Sequence, residues 1–157
     1  MNEILQRIVD KLEEKGVEYS LIRLKDRAMT VEDVMKFSDA KINSKEICKT
    51  LILKDQENNT NAILLIGSDR ADFIKIRKRL KCSELRLATP EEIKRETGFE
   101  IGAVCPLFLN LPMLVDKRVF SRKKVNFGSG DHLFGIEISP RDILKCTRGK
   151  ITDIVSK

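Results

Sequence analysis

The segment CKTLILKDQENNTNAILLI, residues 48–66, decides the fold class of this chain. Two runs rich in leucine and isoleucine enclose a polar stretch, and the Asn58-Asn59 pair within that stretch suits a tight turn. The pattern predicts a β-hairpin whose first strand is entered at Lys49. The chain therefore contains antiparallel sheet, and the rest of the sequence must supply what packs against it.

Helical patterns lie on both sides of the hairpin. Apolar residues repeat at helical spacing near the start of the chain and again after residue 73, and two threonines stand where helix caps belong. The predicted helices begin near residue 4, after Thr30, near residue 73, after Thr89, and, as a short final helix, after Ser139. Further strands are predicted at residues 17–22, 85–87, 113–115, 125–127 and 134–138. This order predicts a single α+β domain over residues 1–157, with a twisted, mostly antiparallel mixed sheet flanked by helices.

Composition narrows the class of protein. The 157 residues carry a formal net charge of +6, which permits an acidic partner such as nucleic acid but does not require one. No apolar run approaches the ~20 residues of a membrane span, and the N-terminus lacks a signal-peptide pattern, so we expect a cytoplasmic protein with no membrane contact. The four cysteines are widely spaced and there is one histidine, which predicts free thiols, no metal site and no cofactor.

Three segments could carry chemistry, and each also has a plainer explanation. Lys49 enters a buried strand, where its ammonium could meet a phosphate or carboxylate or could simply protect a sheet edge. The loop at residues 102–106 has a glycine at its start and a proline at its end, so its backbone N–H groups could bind an oxyanion or merely connect two elements. The turn GSGDH, residues 128–132, holds the only histidine, His132, although turns commonly collect such residues.

The familiar nucleophile and phosphate-loop motifs are missing. The sequence contains neither a Gly-x-x-x-x-Gly-Lys-Ser/Thr segment nor a Gly-x-Ser-x-Gly elbow. Hydrolysis by a positioned water, with backbone donors for the developing oxyanion, stays open.

Taken together and in order, these segments resemble one family. The matching features are Lys49-Thr50-Leu51 before the hairpin, residues 88–92 before a helix, residues 97–99 with Gly102 and Pro106, and residues 139–142 at the last helix start. The chain resembles the YbaK/prolyl-tRNA synthetase editing-domain family of trans-acting aminoacyl-tRNA deacylases. The resemblance runs from about residue 4 to residue 154.

The resemblance implies hydrolysis of the ester between a wrong amino acid and tRNA, without metal or covalent intermediate. Lys49 is expected to hold the acceptor end of the tRNA, and the loop from Gly102 to Pro106 to position the carbonyl and the attacking water, with the terminal ribose hydroxyl as proton acceptor. Lys49, Gly102 and His132 are the implied catalytic group. The implied substrate-binding residues are Thr50, Ala103, Val104, Cys105, Pro106, Gly128, Ser129 and Gly130.

His132 indicates which amino acid the protein would remove from tRNA. Members of the family that clear alanine from proline tRNA carry a histidine in this region, whereas cysteine-clearing members usually have an aspartate near the position of Gly135, which this chain lacks. Alanyl-tRNA for proline is therefore the favoured substrate, with cysteinyl-, seryl- and threonyl-tRNA left open. A non-catalytic tRNA-binding partner of a synthetase, such as prolyl-tRNA synthetase, and an unrelated small-molecule binder are the competing classes.

Two clusters of basic residues are candidate contacts for the tRNA backbone, although a solvated surface explains such clusters equally well. One lies on the third predicted helix and the other precedes a predicted strand. Their members are Lys75, Lys78, Arg79, Arg122, Lys123 and Lys124.

Overall fold

Four α-helices and eight strands make up residues 1–156, the part of the chain that the computed structural model describes. In chain order they are α1 (Glu3–Glu14), β1 (Tyr19–Arg23), α2 (Val31–Phe37), β2 (Cys48–Asp55), β3 (Thr60–Ile66), α3 (Phe73–Leu80), β4 (Leu85–Leu87), α4 (Pro90–Thr97), β5 (Met113–Asp116), β6 (Val125–Gly128), β7 (Phe134–Ile138) and β8 (Gly149–Thr152). Short 3₁₀ helices occupy Ser44–Glu46, Lys117–Ser121 and Pro140–Lys145. The predicted α+β class is confirmed.

The strands form two sheets rather than one. The larger has the order β4-β2-β3-β5-β8 and the smaller the order β1-β7-β6. Both predicted hairpins, β2–β3 and β6–β7, are antiparallel, whereas β5 pairs in parallel with β3 and with β8. Parallel strands need a long connection: α3, β4 and α4 lie between β3 and β5, and β6 and β7 lie between β5 and β8.

The two faces of the five-stranded sheet belong to different cores, because successive side chains of a strand point to opposite faces. On the inner face, Ile52 and Leu64 join the main core with α1 and with Phe127 and Ile136 of the smaller sheet. On the outer face, Leu53, Ile63 and Leu65 pack against Ile76 of α3.

Local sequence chemistry explains where the helices begin and end. The side chains of Thr30 and Thr89 accept hydrogen bonds from Asp33 N and Glu92 N at the starts of α2 and α4, as predicted. At α4 the Glu92 side chain completes a capping box, and Gly98 ends the helix in the left-handed conformation with φ 80°. The predicted final helix is a 3₁₀ helix, and the Ser139 side chain does not cap it.

The two sheets leave a gap between them, and the candidate site lies in this gap. β4 pairs with residues 53–55 of β2, and Ala88 N donates to Ile52 O just beyond it, so residues 48–51 form a free strand edge. This edge faces β6, and a single parallel bridge between Ile47 and Asn126 joins the sheets there. The space beside that bridge is where the predicted site residues meet.

Candidate functional site

A cavity of about 510 Å³ lies between the free edge of β2, the loop after α4 and the β6–β7 pair. Residues 28–34, including the first turn of α2, cover it. The cavity brings together members of all three segments that the sequence analysis selected. Those on its wall are Lys49, Thr50, Gly102, Ala103, Val104, Gly128 and His132.

The Lys49 ammonium sits half-buried on this wall. Its Nζ donates a hydrogen bond to the backbone carbonyl of Asp69 at 2.8 Å, and it forms no ion pair with any carboxylate in residues 1–156. Burial lowers the pKa of Lys49 below that of an ordinary lysine, while the charges of Asp69 and Glu32 oppose the shift. An ammonium has three donors, so Lys49 can bind an anion while it stays tethered.

Thr50 offers both side-chain and backbone groups to the cavity. Its Oγ1 is buried and has no hydrogen-bond partner among the described residues. Asp55 N donates to Asn59 O on the β3 side, whereas Ile52 O accepts from Ala88 N on the opposite side. Since backbone groups alternate along an antiparallel strand, the N–H and C=O of Thr50 face the free edge.

The loop after α4 presents backbone donors. Gly102 has φ 85°, in the region that favours glycine. Ala103 N donates to Glu100 O, while the N–H groups of Gly102 and Val104 have no acceptor within the part of the chain that is described. Both residues line the cavity, so their N–H groups are candidate donors for a developing oxyanion.

The same loop packs directly against the glycine-rich turn. A Cβ at Gly128 would stand 2.4 Å from the Val104 carbonyl oxygen, and Gly130 N donates to Ala103 O at 2.8 Å. Only glycine at position 128 permits this approach of the two backbones. The turn therefore fixes how far the loop at residues 102–106, called the donor loop below, stands from β6.

His132 lies at the cavity mouth with one ring nitrogen engaged. Its Nε2 is 3.0 Å from the Ile101 carbonyl oxygen, a contact in which Nε2 must donate. In the neutral ring this leaves Nδ1 as the acceptor. The Arg27 guanidinium lies 3.4 Å from the same nitrogen, but it is also a donor and so is not hydrogen-bonded to Nε2 in this tautomer. Ala28 N donates to His132 O.

Four predicted substrate-binding residues do not line the cavity, and their assignment stays a prediction. Cys105 and Pro106 are buried, and burial raises the pKa of the Cys105 thiol to about 12. Ser129 Oγ lies 2.7 Å from the Phe134 carbonyl oxygen and 3.0 Å from that of Asp131, so it shapes the turn. Gly130 also shapes the turn, because its N–H donates a hydrogen bond to the Ala103 carbonyl.

The basic candidates divide into two surfaces. Lys78 and Arg79 are exposed on α3 and form no ion pair within residues 1–156, but Lys75 donates to Asp153 and to the Val155 carbonyl. Lys123 and Lys124 line a separate polar depression at the start of β6, and Arg122 precedes them. Their contact with tRNA stays a prediction for all six.

The cover of the cavity was not predicted from the sequence. Met29 lies over Gly102, where a Cβ would stand 2.8 Å from its Sδ and Cε, and Val31 lies over Gly67 in the same way. The cap at Thr30 locates the helix in the chain, but no local pattern tells which surface a short helix with no fully buried residue will cover.

No group of His, Cys, Asp and Glu side chains in the described chain could hold a metal ion. Likewise, no helix of residues 1–156 is both long enough and apolar enough to cross a membrane.

Comparisons with known proteins agree with the geometry. Residues 25–146 match the family model of the aminoacyl-tRNA editing domain. Proline–tRNA ligases from Caldicellulosiruptor saccharolyticus and Persephonella marina are 28% and 32% identical over 74% and 72% of this chain. The chain covers only 20% of either ligase, so it spans about a fifth of the length of these relatives.

Solved structures extend the similarity to nearly the whole chain. A protein described as hypothetical has a TM-score of 0.86 at 26% identity, over 96% of this chain and 99% of that one. A candidate trans-editing enzyme for prolyl tRNA synthetase has a TM-score of 0.86 at 24% identity, over 100% and 99%. Together with the match over residues 25–146, these findings confirm the predicted family: the chain belongs to the YbaK-like aminoacyl-tRNA editing domains.

Proposed function

We propose that this chain is an aminoacyl-tRNA deacylase that clears a wrongly attached small amino acid, with alanyl-tRNA for proline as its first substrate. One observation carries the proposal. Lys49, Gly102, Val104 and His132 line the same cavity, and the N–H groups of Gly102 and Val104 have no acceptor among the described residues. The proposal extends to action in trans as one editing domain in the cytoplasm, with the aminoacylated acceptor end as partner and prolyl-tRNA synthetase as a candidate partner protein.

Each group of cavity residues has a distinct role in the proposed mechanism. Lys49 binds a phosphate near the terminal adenosine as a point charge. The N–H groups of Gly102 and Val104 hydrogen-bond the ester carbonyl oxygen and stabilise the negative charge that forms on it when water attacks. The attacking water gives its proton to the free hydroxyl of the terminal ribose, which passes its own proton to the neighbouring ester oxygen as the C–O bond breaks, so that the free amino acid and the tRNA leave. His132 Nδ1 accepts a hydrogen bond from the attacking water and orients it. No metal, cofactor or covalent intermediate takes part.

Alanine on proline tRNA is favoured on three grounds. His132-Leu133-Phe134-Gly135 resembles the alanine-clearing members, and the relatives over most of the chain are described as proline–tRNA ligases. The cavity also holds no aspartate at position 135, where Gly135 lies buried on β7.

A deacylation panel tests the proposal. Purified protein is incubated with alanyl-, cysteinyl-, seryl- and threonyl-tRNA for proline, and ester loss is compared with buffer. We expect hydrolysis of alanyl-tRNA, and a drop of roughly 100-fold in kcat/KM for Lys49→Ala, because an anchor that orients the ester is lost. Lys150→Ala, which removes an exposed lysine of β8, is the matched control.

Two outcomes would contradict the proposal. If the protein hydrolyses none of the four substrates but still binds tRNA in a salt-dependent manner, it is a tRNA-docking module and not a deacylase. A folded Lys49→Ala variant with full activity would show that the anchoring charge lies elsewhere.

A further inference from the structure

One carboxylate on the cavity wall has no role in the mechanism described so far. Two acidic residues line the cavity, Glu32 and Asp131. Both carboxylate oxygens of Asp131 are engaged, because Oδ1 accepts a hydrogen bond from Leu133 N and Oδ2 accepts one from Asn2 N. The Glu32 side chain forms no ion pair within residues 1–156. Its carboxylate is therefore available to a ligand.

Glu32 belongs to the cover of the cavity, in the first turn of α2. Three residues earlier, Met29 lies over the donor loop, with its Cα 3.2 Å from the ideal Cβ position of Gly102. Val31, the residue directly before Glu32, lies over Gly67 at the end of β3, where a Cβ would stand 2.5 Å from Val31 Cγ2. These two contacts hold the first turn of α2 across the cavity, and Glu32 takes its position from them.

The charges around Glu32 leave its carboxylate without a partner. The charge of Glu32 acts against the lowering of the Lys49 pKa by burial, although the two groups do not form an ion pair. Lys36 follows one turn later on α2, but its ammonium lies over the Phe37 ring, 5.5 Å from the ring centroid. The cavity thus offers a cation at Lys49 and a separate anion at Glu32.

An amino acid esterified to tRNA carries a cation that every such substrate shares, its α-ammonium group. The pKa of an α-amino group is about 8, so the group is largely charged at neutral pH, and a charge that enters a cavity without a partner is costly. A carboxylate forms charge-assisted hydrogen bonds with an ammonium. The nitrogen is bonded to the carbon next to the ester carbonyl, so an ester held by the donor loop would present its ammonium close to that loop, beneath the cover that carries Glu32.

We propose that the Glu32 carboxylate binds the α-ammonium group of the amino acid esterified to tRNA, so that the site selects esters with a free α-amino group. This inference rests on the proposed deacylase function and specifies the class of ester on which it acts. Lys49 holds a phosphate of the acceptor end, and Glu32 holds the ammonium of the amino acid. An ester whose α-nitrogen is acylated, as in peptidyl-tRNA, brings no cation to Glu32 and is a poor substrate.

The test uses lactyl-tRNA for proline, the analogue of alanyl-tRNA in which a hydroxyl replaces the α-ammonium with little change in size. Single-turnover kcat/KM is measured for both esters with the wild type, Glu32→Gln and Glu32→Asp. We expect Glu32→Gln to lower the alanyl-to-lactyl ratio about tenfold, since a hydrogen bond to a charged group is worth roughly that factor. Glu32→Asp keeps the negative charge and should retain more of the ratio. The ratio is internal to each preparation, so a smaller folded fraction does not alter it.

Glu91→Gln is the matched control. Glu91 is the second residue of α4, as Glu32 is of α2, and it is exposed and lies outside the cavity. The same change at Glu91 should leave the alanyl-to-lactyl ratio at its wild-type value. An equal fall in this control would show that the loss of any first-turn carboxylate is enough, and would overturn the role of Glu32.

The failures of the two proposals can be told apart. An unchanged ratio in Glu32→Gln overturns the role of Glu32 and leaves the deacylase intact, whereas a wild type that does not hydrolyse alanyl-tRNA overturns the deacylase itself. If the lactyl ester stays at the buffer rate with every protein, kcat/KM for alanyl-tRNA decides: Glu32→Gln should lose about tenfold and Glu32→Asp clearly less. Equal losses in these two variants overturn the role of Glu32.

Discussion

Gly128 shows how one residue sets the geometry of the cavity wall. The Val104 carbonyl lies where any Cβ at position 128 would have to be, 2.4 Å from the ideal Cβ position. A side chain there would push the donor loop away from β6, and the unpaired N–H groups of Gly102 and Val104 would move with it. The short distance between the donor loop and the turn that carries His132 therefore requires that residue 128 have no Cβ.

His132 should affect the selection and rate of the reaction more than its chemical mechanism. His132→Ala removes the Nδ1 acceptor and the Nε2 contact to Ile101 O, and in the proposed mechanism the attacking water then loses an orienting group. We expect kcat for alanyl-tRNA to fall by about tenfold or more, or the order of preferred amino acids to change, because misorientation raises the barrier. Steady-state deacylation with the four-substrate panel checks this.

Leu133→Ala is the control for this variant, because Leu133 is the exposed neighbour in the same turn and lies outside the cavity. Unchanged rate and unchanged selectivity in His132→Ala would mean that the histidine is only a turn residue.

The site residues differ in how well the sequence could predict them. Lys49, Gly102 and His132 stand in segments with a recognisable order, and the cavity unites them. Arg27 and Met29 have no local signature, because each acquires its position near the cavity from contacts with a distant segment.

At the scale of elements, α4 acts as a support for the donor loop. Its start is fixed by the capping box of Thr89 and Glu92, and Glu92 also binds Arg86 of β4 with Nη–Oε distances of 2.6 and 2.9 Å. These contacts hold the pKa of the Glu92 carboxyl well below its usual range, with the hydrogen bond from Arg86 as the largest cause. Gly98 ends the helix just before the loop.

Thr89→Ala should weaken this support without touching the cavity chemistry. The variant loses the side-chain acceptor for Glu92 N, and we expect a loss of about 1 kcal/mol in the free energy of unfolding. Urea unfolding followed by circular dichroism measures it. Thr89→Ser, which keeps the hydroxyl, should lose clearly less. Equal losses in the two variants would show that the cap is not the cause.

Elements were predictable where their own residues specify them. The caps at Thr30 and Thr89 and the β2–β3 hairpin follow from local chemistry. Strand β8 was missed because GKIT is short and polar, and it becomes a strand only by pairing with β5 at the sheet edge. The division into two sheets was missed for the same reason, since pairing partners lie far apart in the chain.

At the scale of the whole molecule, the basic residues behind the net charge of +6 differ in whether they are already paired with a carboxylate. Several basic residues are already occupied, such as Lys75 with Asp153 and Lys54 with Glu96. Lys78 and Arg79 are exposed and without an ion pair in residues 1–156. They lie on α3, which begins just after the segment whose Asp69 carbonyl holds Lys49.

Charge reversal on α3 tests whether this face binds the tRNA backbone. For Lys78→Glu combined with Arg79→Glu we expect weaker tRNA binding and a plot of log K against log salt that is shallower by about two, because each lysine or arginine that pairs with a phosphate adds about one to the slope. Fluorescence anisotropy at several salt concentrations measures both quantities. Arg7→Glu with Lys11→Glu on α1 gives the same change in net charge. If that control weakens binding equally, the overall charge and not the α3 face is responsible.

The pairing of β1 with β7 has a consequence for how the molecule acquires its shape. Tyr19 lies opposite Ile138 and Arg23 opposite Phe134, so the smaller sheet unites opposite ends of the chain. Such long loops are entropically expensive to close, and folds dominated by them take milliseconds to seconds to form. The β2–β3 hairpin can form early from its own residues, but the cavity needs β6 and β7 in place beside it. The cavity is therefore complete only when residues 134–138 have paired with residues 19–23 across most of the chain.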